Sequence, residues 1–213
     1  MQFDMDALPE HDRYKLMTAS ITPRPIAWVT SLSAAGTRNA APFSFFNMMA
    51  AEPPLVVLGL MHRPGGALKD TAANILETGE FVVNLVRAQD AEAMNLTCID
   101  APPGFDELDM AGMEVAPSVR VSPPRIASAP VSMECTLFQH VAASALATIV
   151  LGQVRMLHIA DRFVDPARLH VDTLAMDLIA RMHGAGWYAR AGEMMQLERP
   201  TFADWSLRNP AGG

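Results

Sequence analysis

The sequence predicts a mainly β chain, a Greek-key antiparallel barrel with appended helices. Three observations predict it. Short apolar runs bounded by Gly, Pro and Asn recur along the chain. A helical period interrupts them only at residues 65–79 and in a few later stretches. The order is strands, helix, strands, hairpin, late helix, unlike the regular strand–helix alternation of a parallel sheet. With 213 residues, half of them apolar, the chain suffices for one domain with a substantial core.

The elements follow in order. Residues 26–33 read as a strand, with Trp28, Val29 and Thr30 in succession. Residues 34–37, with Gly36, supply a turn, and 39–44 return. Residues 55–60 are almost entirely apolar and follow Pro53-Pro54, which predicts a strand buried on both faces. In 65–79, Leu68, Ala72, Ile75 and Leu76 share one helical face, and Gly79 stands where a C-terminal cap belongs. A strand over 81–86 and a helix over 88–96 come next.

Residues 101–130 carry many prolines and little period, so they read as an excursion with a short helix near 105–110. Such a segment is expected as a lid or an oligomer contact, with a disordered linker as the alternative. Residues 131–140 and 148–160 form an antiparallel pair around a turn at 142–147. Residues 171–183 read as an amphipathic helix through Leu174, Leu178, Ile179 and Met182. The tail from 201 shows no strong pattern. No repeat or second-domain linker divides residues 1–213.

Composition excludes several functions. A net charge of −7 argues against nucleic-acid binding, which needs basic patches. A local cluster can still hold a small anion. Two cysteines, Cys98 and Cys135, lack metal spacing, and Cys135 lies in an apolar run where it reads as a small buried residue. The six histidines form no metal motif. Fifteen methionines are expected mostly as core filler. No run of about 18 apolar residues and no signal-like N-terminus occur, so a cytoplasmic protein without a membrane span is expected.

Two stretches carry chemistry. In HRPGGALKDTAANI a strand passes through glycines into a helix start bearing Lys69 and Thr71, with Arg63 in the loop before. Free N–H groups, a positive dipole end, an ammonium, a hydroxyl and a guanidinium suit a phosphate. A surface lysine on an ordinary capped helix is the plain alternative, and the stretch is no Walker motif. In WVTSLSAAGTRNAAPFSFFN, the polar Thr30, Ser31, Ser44 and Asn47 alternate with aromatics that include Phe45, which suits a flat ring with a polar edge. For the aromatics, simple barrel core is the competing reading. A third stretch, RMHGAGWY, offers Arg181 and His183 at an expected helix end, where capping competes with function.

These residues carry a resemblance. RPIAWVTSLSAAGTRNAAPFSFFNMMAAEPPLVV and KDTAANILETGEFVVNLV resemble the two opening blocks of the flavin reductase-like family. The likeness continues more weakly through 152–159 and 181–188, covering about residues 15–190. It implies the FMN-binding split-barrel fold and a homodimer with FMN near the subunit interface. By position, Thr30, Ser31, Ser44, Phe45 and Asn47 would face the flavin. Arg63, Lys69 and Thr71 would bind its phosphate, with Asp70 beside them. Arg181 and the glycines after it would close the site, from the same chain or its partner.

The implied activity is NAD(P)H-dependent flavin reduction, supplying reduced flavin to a monooxygenase partner. The resemblance leaves NADH against NADPH open, and FAD or riboflavin in place of FMN. A flavin-binding electron carrier and a specialised FMN oxidase stand as alternatives. No GxGxxG motif is present, so a nicotinamide would have to stack on the flavin. Hydride transfer needs no protein nucleophile, and His183 is the one candidate named for a catalytic acid or base.

Overall fold

The computed structural model describes residues 1–102, 104–184 and 186–208. The chain opens with helix α1 (Glu10–Ser20). A two-residue strand β1 (Arg24–Pro25) leads into β2 (Ala27–Leu32), β3 (Arg38–Phe43), β4 (Phe46–Ala51) and β5 (Pro54–Met61). Helix α2 (Asp70–Thr78) crosses to β6 (Glu80–Asn84). Helices α3 (Ala91–Leu96) and α4 (Glu107–Met110) follow, and β7 (Val115–Ala116) pairs with β8 (Arg125–Ile126). The long strands β9 (Val131–Ser144) and β10 (Ala147–Ile159) form a hairpin. Beyond it β11 (Val164–Asp165) pairs with β12 (His170–Val171), and β13 (Ile179–Arg181) with β14 (Tyr188–Arg190). Helix α5 (Phe202–Arg208) comes last. Among the described residues, no helix is long and apolar enough to cross a membrane.

Seven strands make one sheet in the order β3-β2-β6-β9-β10-β5-β4, and every neighbouring pair is antiparallel. The two edge strands, β3 and β4, are consecutive in the chain, with only Ser44 and Phe45 between them. The sheet must therefore curl until its edges meet, which makes it a barrel. Phe45 carries the β4–β5 ladder into this corner: its carbonyl accepts the Gly59 N–H at 2.8 Å. A Cβ on Gly59 would come within 2.9 Å of the Phe45 Cβ, so the glycine permits this approach.

Strand alternation builds two cores. Ala27, Val29, Leu58, Phe81, Val83, Cys135 and Val150 fill the barrel, and Ala72 and Ile75 of α2 plug it. Trp28 faces the other way and packs with Met94, Leu108, Ile126 and Ile179 beneath the later segments. Helix α2 ends as expected at Gly79, which is left-handed (φ 74°) and donates to the Ile75 carbonyl. Leu68 lies before the helix and is exposed. β5 is not buried on both faces: Val56, Leu58 and Leu60 point inward, and the residues between them are partly open.

The excursion at 101–130 is a packed cover over the β2–β6–β9 face, pinned through its backbone. Buried Asn84 accepts the Ile126 N–H at 3.0 Å, and Thr30 donates to the Pro124 carbonyl at 2.6 Å. Glu134, fully buried, accepts the Val119 N–H at 2.8 Å as well as bonds from Arg120 N–H and His158. Polar side chains under an irregular segment satisfy backbone groups that a sheet partner would otherwise hold.

Two further expectations need correction. Residues 171–183 are not a helix. The Asp172 carboxylate takes the Ala175 N–H, and Asp177 is left-handed (φ 50°), so a turn interrupts the period and β13 follows. Met176, Leu178 and Val171 pack instead with Val131 and Phe163. The methionines are also not mainly core: Met94 and Met176 are buried, whereas eight, including Met48, Met49, Met194 and Met195, are exposed.

Two outcomes test this packing. A Cβ at Gly152 would collide with the Phe81 ring inside the barrel. Gly152→Ala should therefore cost about 1–3 kcal/mol of stability by denaturant unfolding. Burial alone would raise the Glu134 pKa, but the Val119 N–H, His158 and the Arg120 N–H together hold it below the ordinary value. Its stabilisation is thus present above the unfolded carboxylate pKa and is lost as pH falls through the lower folded one. Between about pH 5 and pH 3, wild type should lose thermal stability more steeply than Glu134→Gln.

Candidate functional site

The β3–β4 corner is also where a trough crosses the barrel surface. One end lies at the start of α2. Lys69 is the N-cap residue of this helix, and no side chain caps it. The free N–H groups of the first turn make an anion site. Arg63, Lys69, Asp70 and Thr71 line this end with Asn39, Asp100 and Glu107. Gly65 and Gly66, both left-handed, turn the chain between Arg63 and the helix.

The polar groups at this end are tied from below. Asn39 donates to the Thr71 hydroxyl oxygen at 2.8 Å, which leaves the Thr71 proton free to donate outward. Asn74 donates to Ser31 at 3.0 Å. Lys69 pairs with Asp100 at 3.1 Å, and Arg63 meets Asp70 at a long 3.4 Å. The Arg63 Nε is buried with no hydrogen-bond partner. Glu107 accepts the Ala40 N–H on the outer edge of β3 at 3.0 Å, and burial raises its pKa.

The trough continues over Pro42, Phe43 and Cys98, which line both ends. Cys98 is solvent-accessible, but partial desolvation raises its thiol pKa against the pull of Arg181 and Lys69. Tyr14, Thr18, Arg24, Ser44, Arg181, Gly184 and Tyr188 line the far end. Arg24 is buried and donates to the carbonyls of Ile21 at 2.7 Å and Met182 at 2.8 Å, and to Ser44 at 3.3 Å. It joins α1, the corner and the β13–β14 hairpin. Arg181 donates to the Tyr188 hydroxyl at 2.7 Å and lies 4.8 Å above that ring.

The structure brings together most of the residues expected from sequence, though not all. Arg63, Lys69, Asp70, Thr71, Ser44 and Arg181 line the trough. Phe45 and Asn47 line an adjoining apolar groove of about 580 Å³, which shares Tyr14, Thr18, Arg24 and Ser44 with it. Thr30 does not face the trough: it lies on the Trp28 side of β2, with its hydroxyl given to Pro124. Ser31 is fully buried and acts only as a support for Asn39 and Asn74. His183 is not at a helix end; it is exposed between β13 and β14, with its ring 5.9 Å from Trp187.

Sequence reading missed Asn39, Arg24, Tyr14, Asp100 and Glu107. A buried Asn at the start of a strand and an Arg within TPRPIAW were available signals. Tyr14 had none, because α1 lacks a clear apolar period and buries only Thr18.

The barrel thus carries a cationic helix start at one end of the trough and a polar, arginine-bearing cleft at the other. The family model "Flavin reductase like domain" matches residues 18–174, and the chain belongs to that family. It is 35% identical to the 2-nitrobenzoate 2-nitroreductase NbaA of Pseudomonas fluorescens, with TM-score 0.86 over 95% of this chain and 98% of that one. It is 33% identical to nitrilotriacetate monooxygenase component B of Bacillus cereus, with TM-score 0.87 over 92% and 98%. A split-barrel protein from Shewanella frigidimarina, at 20% identity and TM-score 0.80 over 94% and 100%, shows the same fold.

The residues fit a flavin mononucleotide. The uncapped α2 start and the unpartnered Arg63 Nε are what a phosphate would satisfy. A thiol count tests the geometry: in the folded chain a thiol reagent should modify Cys98 and spare the fully buried Cys135 until denaturant is added.

Proposed function

We propose that the chain is an FMN-binding oxidoreductase of the NAD(P)H:flavin reductase type, working as a cytoplasmic homodimer. The observation that carries this reading is a pair of neighbouring clefts sharing Pro42, Phe43 and Cys98, one holding Lys69 and Arg63 and the other Arg24 and Arg181. Lys69, Arg63, the Thr71 hydroxyl and the first turn of α2 would hold the phosphate. Pro42 and Phe43 give the ring an apolar floor. Arg24 and Arg181 place two guanidiniums at the ring end, where positive charge favours an electron-rich ring. When bound, the flavin supplies a hydride-accepting ring, and the chain positions it and excludes water.

No acid or base of the chain is needed, and exposed His183 is not assigned one. The adjoining groove is where a nicotinamide would stack, since it shares the Arg24–Ser44 wall with the trough. Likeness to a protein named as a monooxygenase component supports a monooxygenase as recipient of the reduced flavin. A second reading uses the same groove for an aromatic acceptor. Its apolar walls and the likeness to a 2-nitrobenzoate nitroreductase favour that reading.

The test is an anaerobic absorption spectrum of the protein with FMN, after NADH and then NADPH. Bleaching of the oxidised-flavin band with either donor is expected. A bound flavin that stays yellow with both would sink the reductase reading in favour of a carrier or specialised oxidase. Lys69→Ala should weaken FMN binding by about 1.5–3 kcal/mol and riboflavin binding much less. Equal losses for both ligands would contradict a phosphate role.

A further inference from the structure

The phosphate end holds more acid than its task requires. Three carboxylates, Asp70, Asp100 and Glu107, line it with two cations, Arg63 and Lys69. The three are not equivalent. Glu107 is buried and fixed to the Ala40 N–H. Asp70 is the first residue of α2, so its backbone is fixed, and its contact with Arg63 is long. Asp100 is different. Its side chain is 80% exposed and accepts a 3.1 Å bond from the Lys69 ammonium. That bond keeps the carboxyl below its usual range, so it is charged at neutral pH.

Building on the flavin-site reading above, we propose that Asp100 is an affinity-setting residue: it competes with the FMN phosphate for Lys69 and keeps the flavin exchangeable. A phosphate dianion arriving at the start of α2 needs the ammonium that Asp100 holds. An exposed ion pair is weak, so Asp100 can be displaced rather than blocking the site. Once displaced, it remains a like charge on the adjacent segment and hastens release. The effect acts through the phosphate alone, because Asp100 lines only the phosphate end of the trough. It gives a site that binds the ring and phosphate together yet lets the product leave for a partner.

The test is a set of fluorescence titrations of the full chain with FMN and with riboflavin. Wild type is compared with Asp100→Asn and with Glu198→Gln, a control in the exposed C-terminal segment. At low salt, Asp100→Asn should tighten FMN binding by about fivefold to twentyfold, the effect of removing one charge a few ångströms from a dianion. Its FMN dissociation rate in stopped flow should fall by a similar factor. Riboflavin affinity should be unchanged, and the gain should shrink at about 1 M salt, where screening is nearly complete. Glu198→Gln should alter neither ligand.

Unchanged or weaker FMN binding in Asp100→Asn would overturn the proposal while leaving the flavin site intact. An equal gain for riboflavin would do the same, since it would show an effect not made through the phosphate. If no chain bound either flavin, the site reading itself would fail and this inference with it.

Discussion

The two-residue link between β3 and β4 is the constraint on which the rest depends. Strands at opposite edges of a seven-stranded sheet cannot be joined by Ser44 and Phe45 unless the sheet closes on itself. Closure sets the interior, which Phe81, Leu58 and Val150 fill without a polar partner. It also brings the end of β3 to the surface beside the start of α2. The corner that seals the barrel thus stands where the trough meets the adjoining groove, with Ser44 in the wall of both. Gly59 is the concession that permits the corner, because any side chain there would push Phe45 away from β5.

Around this frame the chain uses buried polar side chains as fasteners. Asn84 bonds the Trp28 carbonyl, the Ile126 N–H and the Ser132 hydroxyl, tying two strands to the cover. Glu107 closes the outer edge of β3, and Arg38 pairs with neighbouring Asp106 at 2.6 Å. An uncovered edge strand would invite pairing with another chain. Arg24 does the same for the ring end, linking α1 to the β13–β14 hairpin through carbonyl contacts. These groups are satisfied, whereas the Arg63 Nε is not. The Ser128 hydroxyl is likewise buried without a partner, but of the two it is Arg63 that lines the trough.

Much of this was legible in the sequence, for a physical reason. Strand alternation around Trp28, the glycine cap at Gly79 and the glycine turn before Lys69 are local signals, and each appears where expected. Thr30 and Ser31 misled because alternation shows which residues share a face, not what covers each face. The cover over Thr30 comes from Pro124, about 94 positions away, and no local pattern reports it. Residues 171–183 misled because their apolar spacing suits a helix as well as it suits a turn and short strand packed on Phe163. Asp100 and Glu107 were invisible because they lie in a proline-rich segment whose course depends on polar side chains of β6 and β9.

The most direct measurement of the central claim is the rate at which a thiol reagent modifies Cys98, with and without saturating FMN. Cys98 lines both the phosphate end and the ring end of the trough, and Cys135 is too buried to confuse the count. If the flavin lies along the trough, modification of Cys98 should slow at least about tenfold as the site fills, in step with flavin binding. An unchanged rate while FMN is demonstrably bound would place the flavin elsewhere on the barrel and contradict the account.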